Sequence, residues 1–448
     1  MKSPGARLGK KRAAGAVSLL AALSLLAACG GGDGDGGGAS AADSQTDSGG
    51  AITVWVDPPR VPAAEAFEKA HPDIDITINQ IDGTVGGKSL QQQFAQFNQA
   101  GKGWPDAIFF PSNDDIAWAS GAQIDYAADL TELLPDVIEG YDEAVIAPCA
   151  IDGEIRCLRN DAAPDVFWYN AKFFEQNGYE VPTTWEEYGD LAVQIAEEHP
   201  GKISGFTGDA YAPDRYLWAS GCPTNARQSE TEVVIDLDDP TCVRAKDLLT
   251  TMVEADAASP LGIFDADAAS VGKDLVMSPG AAWWGDYLFR TTWKIPAGEM
   301  TAVEPLAWEG EDSPSTGNEG GGLWGVSSHI KGKQLENTLE FARFVATDPA
   351  WQVELSTGLP AYGPVQDAWA EKQAEAKYFA DNDTTFEAMK AAISHVKPDH
   401  AYMLYNTGSV WTETIAPALV DGQPLDAAWS DFGTELLNQA KAMGYTVK

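Results

Sequence analysis

Positive charge is scarce in this chain. Against 67 Asp and Glu there are 29 Lys and Arg, giving a formal net charge of −38 at pH 7. A phosphate backbone is bound by Lys and Arg, so the balance argues against nucleic acid as a partner. The acids are spread along the chain, which reads as a solvated surface that aids solubility. Long apolar runs are missing too. The nearest candidate, Ala13–Ala28, falls short of the roughly 20 residues that span a bilayer. There are five cysteines, and no His accompanies them at ligand spacing, so neither a metal nor a cofactor is expected. No His-Glu-x-x-His, Gly-x-Ser-x-Gly or full calcium-loop spacing occurs, and no fixed-period repeat.

What is present begins with a leader. Lys2, Arg7, Lys10, Lys11 and Arg12 precede the apolar run, and small residues end it. This is the pattern of a secretory signal peptide, residues 1–28. Leu26-Ala27-Ala28-Cys29 resembles the bacterial lipobox, which implies lipidation of Cys29 and a body held on the outer face of the cell membrane. Residues 29–50 are mostly Gly, Ser, Asp and Ala, and such a segment cannot offset its ordering entropy. It is expected to be a flexible linker reaching roughly 25 Å.

Outside the cytoplasm the other four cysteines read as disulfides, with three pairings possible. Asp152-Gly153 is a hairpin turn that brings its flanks face to face, favouring Cys149–Cys157 and Cys222–Cys242. The 448 residues exceed what one core serves, so two lobes are expected. Ile52–Val56, Ile74–Ile81 and Ala107–Phe110 read as strands, alternating with helices at Pro62–Ala70 and Lys88–Ala100. That alternation implies a parallel, doubly wound α/β sheet, with ligand at the C-terminal strand ends. Thr184 and Glu187 fit a capping box opening a helix with Trp185 in the core. Ile203–Phe206 reads as a strand, Tyr211–Ser220, Leu335–Thr347 and Val365–Ala380 as helices.

Gly83-Thr-Val-Gly-Gly-Lys-Ser89 lacks a phosphate loop's first glycine, where Asp82 stands, and reads as a polar loop entering a helix. Asp236, Asp238 and Asp239 read as a solvated acidic turn. The 15 tryptophans favour a site that stacks flat apolar faces such as sugar rings.

Three stretches carry a family resemblance: Ile151-Asp-Gly-Glu-Ile-Arg-Cys-Leu158, Phe167-Trp-Tyr-Asn-Ala-Lys-Phe-Phe174 and Pro182-Thr-Thr-Trp-Glu-Glu187. Gly280-Ala-Ala-Trp-Trp-Gly285 and Gly320-Gly-Gly-Leu-Trp-Gly-Val-Ser327 agree with them. Together they resemble the family 1 extracellular solute-binding proteins, the maltose-binding-protein-like sugar receptors of ABC importers. Arg159 departs from the family's usual Pro, and two disulfides are not general in it. The resemblance implies a two-lobe, type II periplasmic-binding-protein-like α/β fold with a hinge. Residues 51–160 and 301–330 would form the first lobe, residues 161–300 and 331–448 the second. It further implies a monomer that takes a carbohydrate and hands it to membrane permease subunits, with no catalysis.

Candidate ligand-binding residues follow from strand ends and family position. They are Asp57 and Arg60 after the first strand, Phe110, Asn113 and Asp114 at the third, and Asp161 and Asp165 at the first crossing. Asp209, Tyr211, Asp214 and Arg215 lead into a second-lobe helix, and Trp283, Trp284, Asp286 and Tyr287 follow Gly280. Gly321 and Gly322 let backbone approach, and Asn406, Trp411 and Glu413 complete the set. Alternation puts Trp283 and Trp284 on opposite faces, and Trp284 is taken as the stacking ring. Alternative readings are the same scaffold with a cation such as a polyamine, a secreted glycosidase using paired carboxylates, or an adhesin.

Overall fold

The computed structural model describes residues 45–81, 88–111, 114–121, 124–229, 231–397 and 405–448, with the side chains of residues 88, 89 and 114 outside that set. The leader, Cys29, the 82–87 loop and Asn113 therefore lie outside the described residues. No helix among the described residues is long and apolar enough to cross a membrane.

The first sheet has the strand order Ile76–Gln80, Ile52–Val56, Ala107–Phe110, Leu323–Val326, Leu158–Arg159. The first three strands are parallel, as the β–α–β–α–β spacing requires. Leu323–Val326 returns from far along the chain and pairs antiparallel with both neighbours. Val61–Ala70 packs Ala63, Ala64 and Phe67 onto this sheet. Phe67 is fully buried, contributing roughly 1.5–3 kcal/mol. Lys88–Ala100 forms as expected, with Leu90 and Phe94 inward.

The second sheet orders Met277–Ala281, Asp165–Asn170, Met300–Val303, all antiparallel. A core from Phe174 and Trp185 to Trp429 and Phe432 takes in this sheet's Phe167 and Met277, while Val166, Trp168, Ala281 and Met300 belong to a cluster that also includes Ile108 and Phe110 of the first sheet. The helix Trp185–Glu198 opens with the full reciprocal capping box between Thr184 and Glu187. Ile203–Phe206 makes only isolated bridges, Ile203 with Leu275 and Phe206 with Ser259. Asp239 accepts from the Thr241 N–H at 2.8 Å, so the acidic turn caps the helix Pro240–Glu254.

The two sheets are joined by chain crossings. Residues 161–164 run from the first sheet to the second, and residues 304–322 run back. The crossings pair with each other: Asp161 N–H donates to Gly321 O at 3.0 Å, Glu319 N–H to Ala163 O at 2.9 Å, and Asp165 N–H to Gly317 O at 3.1 Å. Ala162 N–H reaches Leu359 O of a third segment at 2.8 Å.

Two expectations need correction. The helix Gly332–Thr347 lies past the expected boundary at 330, yet Phe341, Phe344 and Val345 join Ile52, Val54 and Phe67 in the first sheet's core. Its apolar face matches that sheet, so the chain does not cross until after it. The end of the expected linker is also docked. Thr46 pairs with Ile330, and the Asp47 carboxylate accepts from the Lys333 and Gln334 N–H groups that open this helix. Negative charge at a helix N-terminus is stabilising, which gives the segment a reason to stay.

Both disulfides form as expected, with Cα–Cα distances of 5.1 Å for Cys149–Cys157 and 4.5 Å for Cys222–Cys242. Asp152 and Gly153, at φ of 55° and 80°, make the turn that aligns the first pair. Replacing Cys222 and Cys242 by Ser should cost about 3 kcal/mol in urea denaturation, and replacing Cys149 and Cys157 about 2.5 kcal/mol, because the shorter loop restrains the unfolded chain less.

Candidate functional site

Some of the candidate residues, Asp209, Arg215 and Trp284 among them, meet around the buried Arg215 guanidinium. Arg215 has no exposure. Its Nε donates to Glu319 Oε1 at 2.7 Å, its Nη1 to Phe206 O at 2.9 Å, and its Nη groups to both Asp209 oxygens at 3.3 Å. The guanidinium lies 4.7 Å from the Trp284 ring centroid. Arg215 sits in a widened π-helical segment, Pro213–Trp218, and Trp284 begins a second one, Trp284–Thr292. Wide turns of this kind are frequent at functional sites.

Glu319 was not among the expected residues, yet it is the hub. Its Oε2 accepts from Trp284 Nε1 at 3.2 Å, and its backbone carbonyl accepts from Trp283 Nε1 at 2.8 Å. A lone Glu in a Gly-rich run gives no sequence signal; only the paired crossings bring it under the two tryptophans.

Asp165 is buried beside Glu319, and neither of its carboxyl oxygens receives a hydrogen bond from a donor. Burial, then the Glu319 charge, holds the Asp165 carboxyl well above its usual range. Burial pushes Glu319 up to about 7 against the pull of Arg215. Two carboxylates in one dry site cannot both ionise cheaply. A proton held between them relieves the clash, and the geometry favours Asp165 as its carrier, because both Glu319 oxygens already accept from Arg215 and Trp284 while neither Asp165 oxygen has a donor.

A second cluster belongs to the first sheet. Arg60 bonds Asp57 at 3.2 Å, approaches Asp161 at 3.6 Å, and lies 4.2 Å from the Phe109 ring centroid. Asn160 donates to Asp161 at 2.6 Å. Burial raises both the Asp57 and Asp161 carboxyls. Gly321, at φ 98°, runs against this cluster; a Cβ there would sit 2.4 Å from Asp161 O. Gly322 likewise lies against Phe109.

The aromatic face departs from expectation. Trp284 is fully buried, wedged among Gly280, Phe289 and Trp293, so it cannot be the stacking ring. Trp283 is half-buried and packs with Tyr211, Phe264 and Tyr287. The chain turns into a helix here, which sends adjacent residues to core and surface. Phe110 is core, against Phe94 and Tyr126. Trp411 is core too, its Nε1 donating to Thr207 O at 2.8 Å. Asn406 caps the helix Thr407–Val420 through Ser409 N–H, and Glu413 is exposed on that helix. Asp286 is ion-paired to Arg290 one turn on, and Asp214 is half-buried, its carbonyl against Gly317.

Two α/β lobes joined by paired crossings, with aromatic and Arg–carboxylate groups gathered there, define a solute receptor. Residues 56–352 match the bacterial extracellular solute-binding proteins, and the chain belongs to that family. It is 28% identical over 130 residues to the osmoprotective compounds-binding protein of Synechocystis, and so spans 29% of that relative's length. In structure it resembles the ABC-transporter-associated binding protein of B. animalis subsp. lactis in complex with β-1,6-galactobiose, with TM-score 0.71, 19% identity, 89% of this chain and 99% of that one. The galacto-N-biose/lacto-N-biose I-binding protein of Bifidobacterium longum gives TM-score 0.71 at 20% identity, over 90% and 100% of the chains. A maltose-bound T. maritima protein gives 0.64 at 16%, over 87% and 99%.

The shared proton has a pH signature. Unfolded carboxyls release their protons near pH 4, whereas in the folded protein burial holds Asp165 well above that range and Glu319 up to about 7. From about pH 4.3 upward the native state binds more protons than the unfolded chain, so stability contributed by this pair falls as pH rises. Asp165→Asn supplies a donor to Glu319 that cannot titrate. It should flatten the dependence and be more stable than wild type at pH 9. Thermal midpoints at pH 5, 7 and 9 that run parallel in the two proteins would remove the shared proton.

Proposed function

We infer that this protein is an extracytoplasmic receptor that captures a carbohydrate, an oligosaccharide in the fullest reading, and delivers it to an ABC-type import permease without catalysis. Residues 1–28 would be a signal peptide and Cys29 the lipid attachment point. The first lobe would comprise about residues 51–160 with the returning strand and the helix Gly332–Thr347.

The observation that carries the ligand class is the state of the candidate carboxylates. Asp57 and Asp161 are tied to Arg60, Asp209 and Glu319 to Arg215, and Asp286 to Arg290. Three arginines offset part of the charge on these five carboxylates and orient them as hydrogen-bond acceptors. That suits neutral hydroxyls better than a polyamine. The half-buried Trp283 offers an apolar face for the C–H side of a sugar ring. The relatives with galactobiose, lacto-N-biose and maltose in their complexes support the same class. A glycosidase needs two carboxyls flanking a glycosidic bond, whereas the closely placed pair Asp165 and Glu319 is buried beneath Trp284.

Titration of the full chain with mono- and oligosaccharides, read by Trp fluorescence and checked for hydrolysis products, tests the reading. Saturable binding of intact sugar supports it; a response to polyamines alone, or product release, overturns it. Trp283→Ala should weaken sugar binding by about 1–3 kcal/mol with the thermal midpoint nearly unchanged. Trp284→Ala should instead cost about 3–5 kcal/mol of stability, because it empties a core position. The reverse pattern in calorimetry would return the stacking role to Trp284.

A further inference from the structure

Apolar side chains exposed on the surface are few. Among the described residues seven large ones are exposed, and the two aromatics in that set, Phe264 at 56% and Tyr287 at 47%, both meet Trp283. Scattered exposed aliphatics need no explanation, but exposed aromatics gathered on one half-buried tryptophan mark a contact surface.

Phe264 is the more informative of the two. Its ring plane lies within 7° of the Trp283 plane, with centroids 6.0 Å apart. Tyr211 and Tyr287 stand edge-on to both rings, at interplanar angles from 64° to 77°. The two rings are stacked parallel with a large offset, so each stays partly exposed, bounded by phenol edges.

The loop that holds Phe264 is fastened. Thr207 N–H donates to Ser259 O at 3.0 Å and Gly208 N–H to Leu261 O at 3.1 Å. Gly208 is pressed so closely that a Cβ there would lie 2.0 Å from Pro260 O. The Asp265 carboxylate accepts from Gly262 N–H at 2.8 Å and closes the turn. Ile263 goes into the core at 1% exposure while Phe264 faces out. The chain therefore anchors this loop to the stretch that carries Asp209, and displays the phenyl ring rather than burying it. Burial would have favoured the ring by roughly 1.5–3 kcal/mol.

We propose that Phe264 is a specificity-determining residue: it supplies a second stacking face, beside Trp283, for the second pyranose ring of an oligosaccharide, and so discriminates chains from single sugars. The proposal rests on the carbohydrate reading above. A single ring is covered by Trp283 alone and gains nothing from the neighbouring face; a linked second ring reaches it.

Isothermal titration of the full chain with glucose, galactose, maltotriose, β-1,6-galactobiose and lacto-N-biose tests it, in wild type, Phe264→Ala and Phe264→Trp. Phe264→Ala should lose about tenfold in affinity for whichever oligosaccharide the wild type binds. The oligosaccharide-to-monosaccharide preference should narrow by that factor, while the thermal midpoint holds. Phe264→Trp should keep the wild-type preference. If Phe264→Ala leaves the preference unchanged while wild type binds an oligosaccharide, the proposal alone is overturned. If the wild type binds none of the five sugars, the carbohydrate reading falls and takes the proposal with it.

Discussion

The buried guanidinium of Arg215 is the interaction on which the rest of the structure depends. A charge taken out of water is costly unless its partners are complete. Here Glu319, Asp209 and the Phe206 carbonyl supply acceptors, and Trp284 covers its face. These partners come from three places: a crossing, the turn after residue 206, and a wide helical turn. Satisfying one cation therefore holds all three in register. Removing one partner would strand the others in a dry site, which is why the arrangement behaves as a unit.

That unit decides the fates of two adjacent tryptophans. Trp284 donates to the Glu319 side chain and is covered on every side. Trp283 donates to the Glu319 backbone and keeps part of its ring accessible. Glu319 thus positions both rings through one residue. Burial and the Glu319 charge raise the Asp165 carboxyl well above its usual range, which favours its neutral form beside that residue.

The same logic reconciles a strongly acidic chain with a neutral ligand. The carboxylates of the candidate site are tied to Arg60, Arg215 and Arg290. Most of the acid excess lies elsewhere, along the rest of the chain, where it aids solubility. Paired carboxylates remain good acceptors for hydroxyls, because pairing fixes their orientation without using every lone pair.

Local features were determined by the sequence itself, because they depend on few neighbouring residues. The Thr184–Glu187 capping box, the Asp152-Gly153 turn with its disulfide, and the parallel strands Ile52–Val56, Ile76–Gln80 and Ala107–Phe110 are of this kind. The family signature was legible for the same reason. What tertiary structure alone decided concerns partners far apart in the chain. Phe110 and Trp411 are core because of what packs on them, and the helix Gly332–Thr347 joins the first sheet through Phe341 and Phe344. Glu319 becomes the hub through Arg215, 104 positions away, and through Trp283 and Trp284, 36 and 35 positions away, and Phe264 meets Trp283 through a loop anchored elsewhere. Side-chain periodicity reports which face a residue occupies, but not what covers that face once two lobes and their crossings come together.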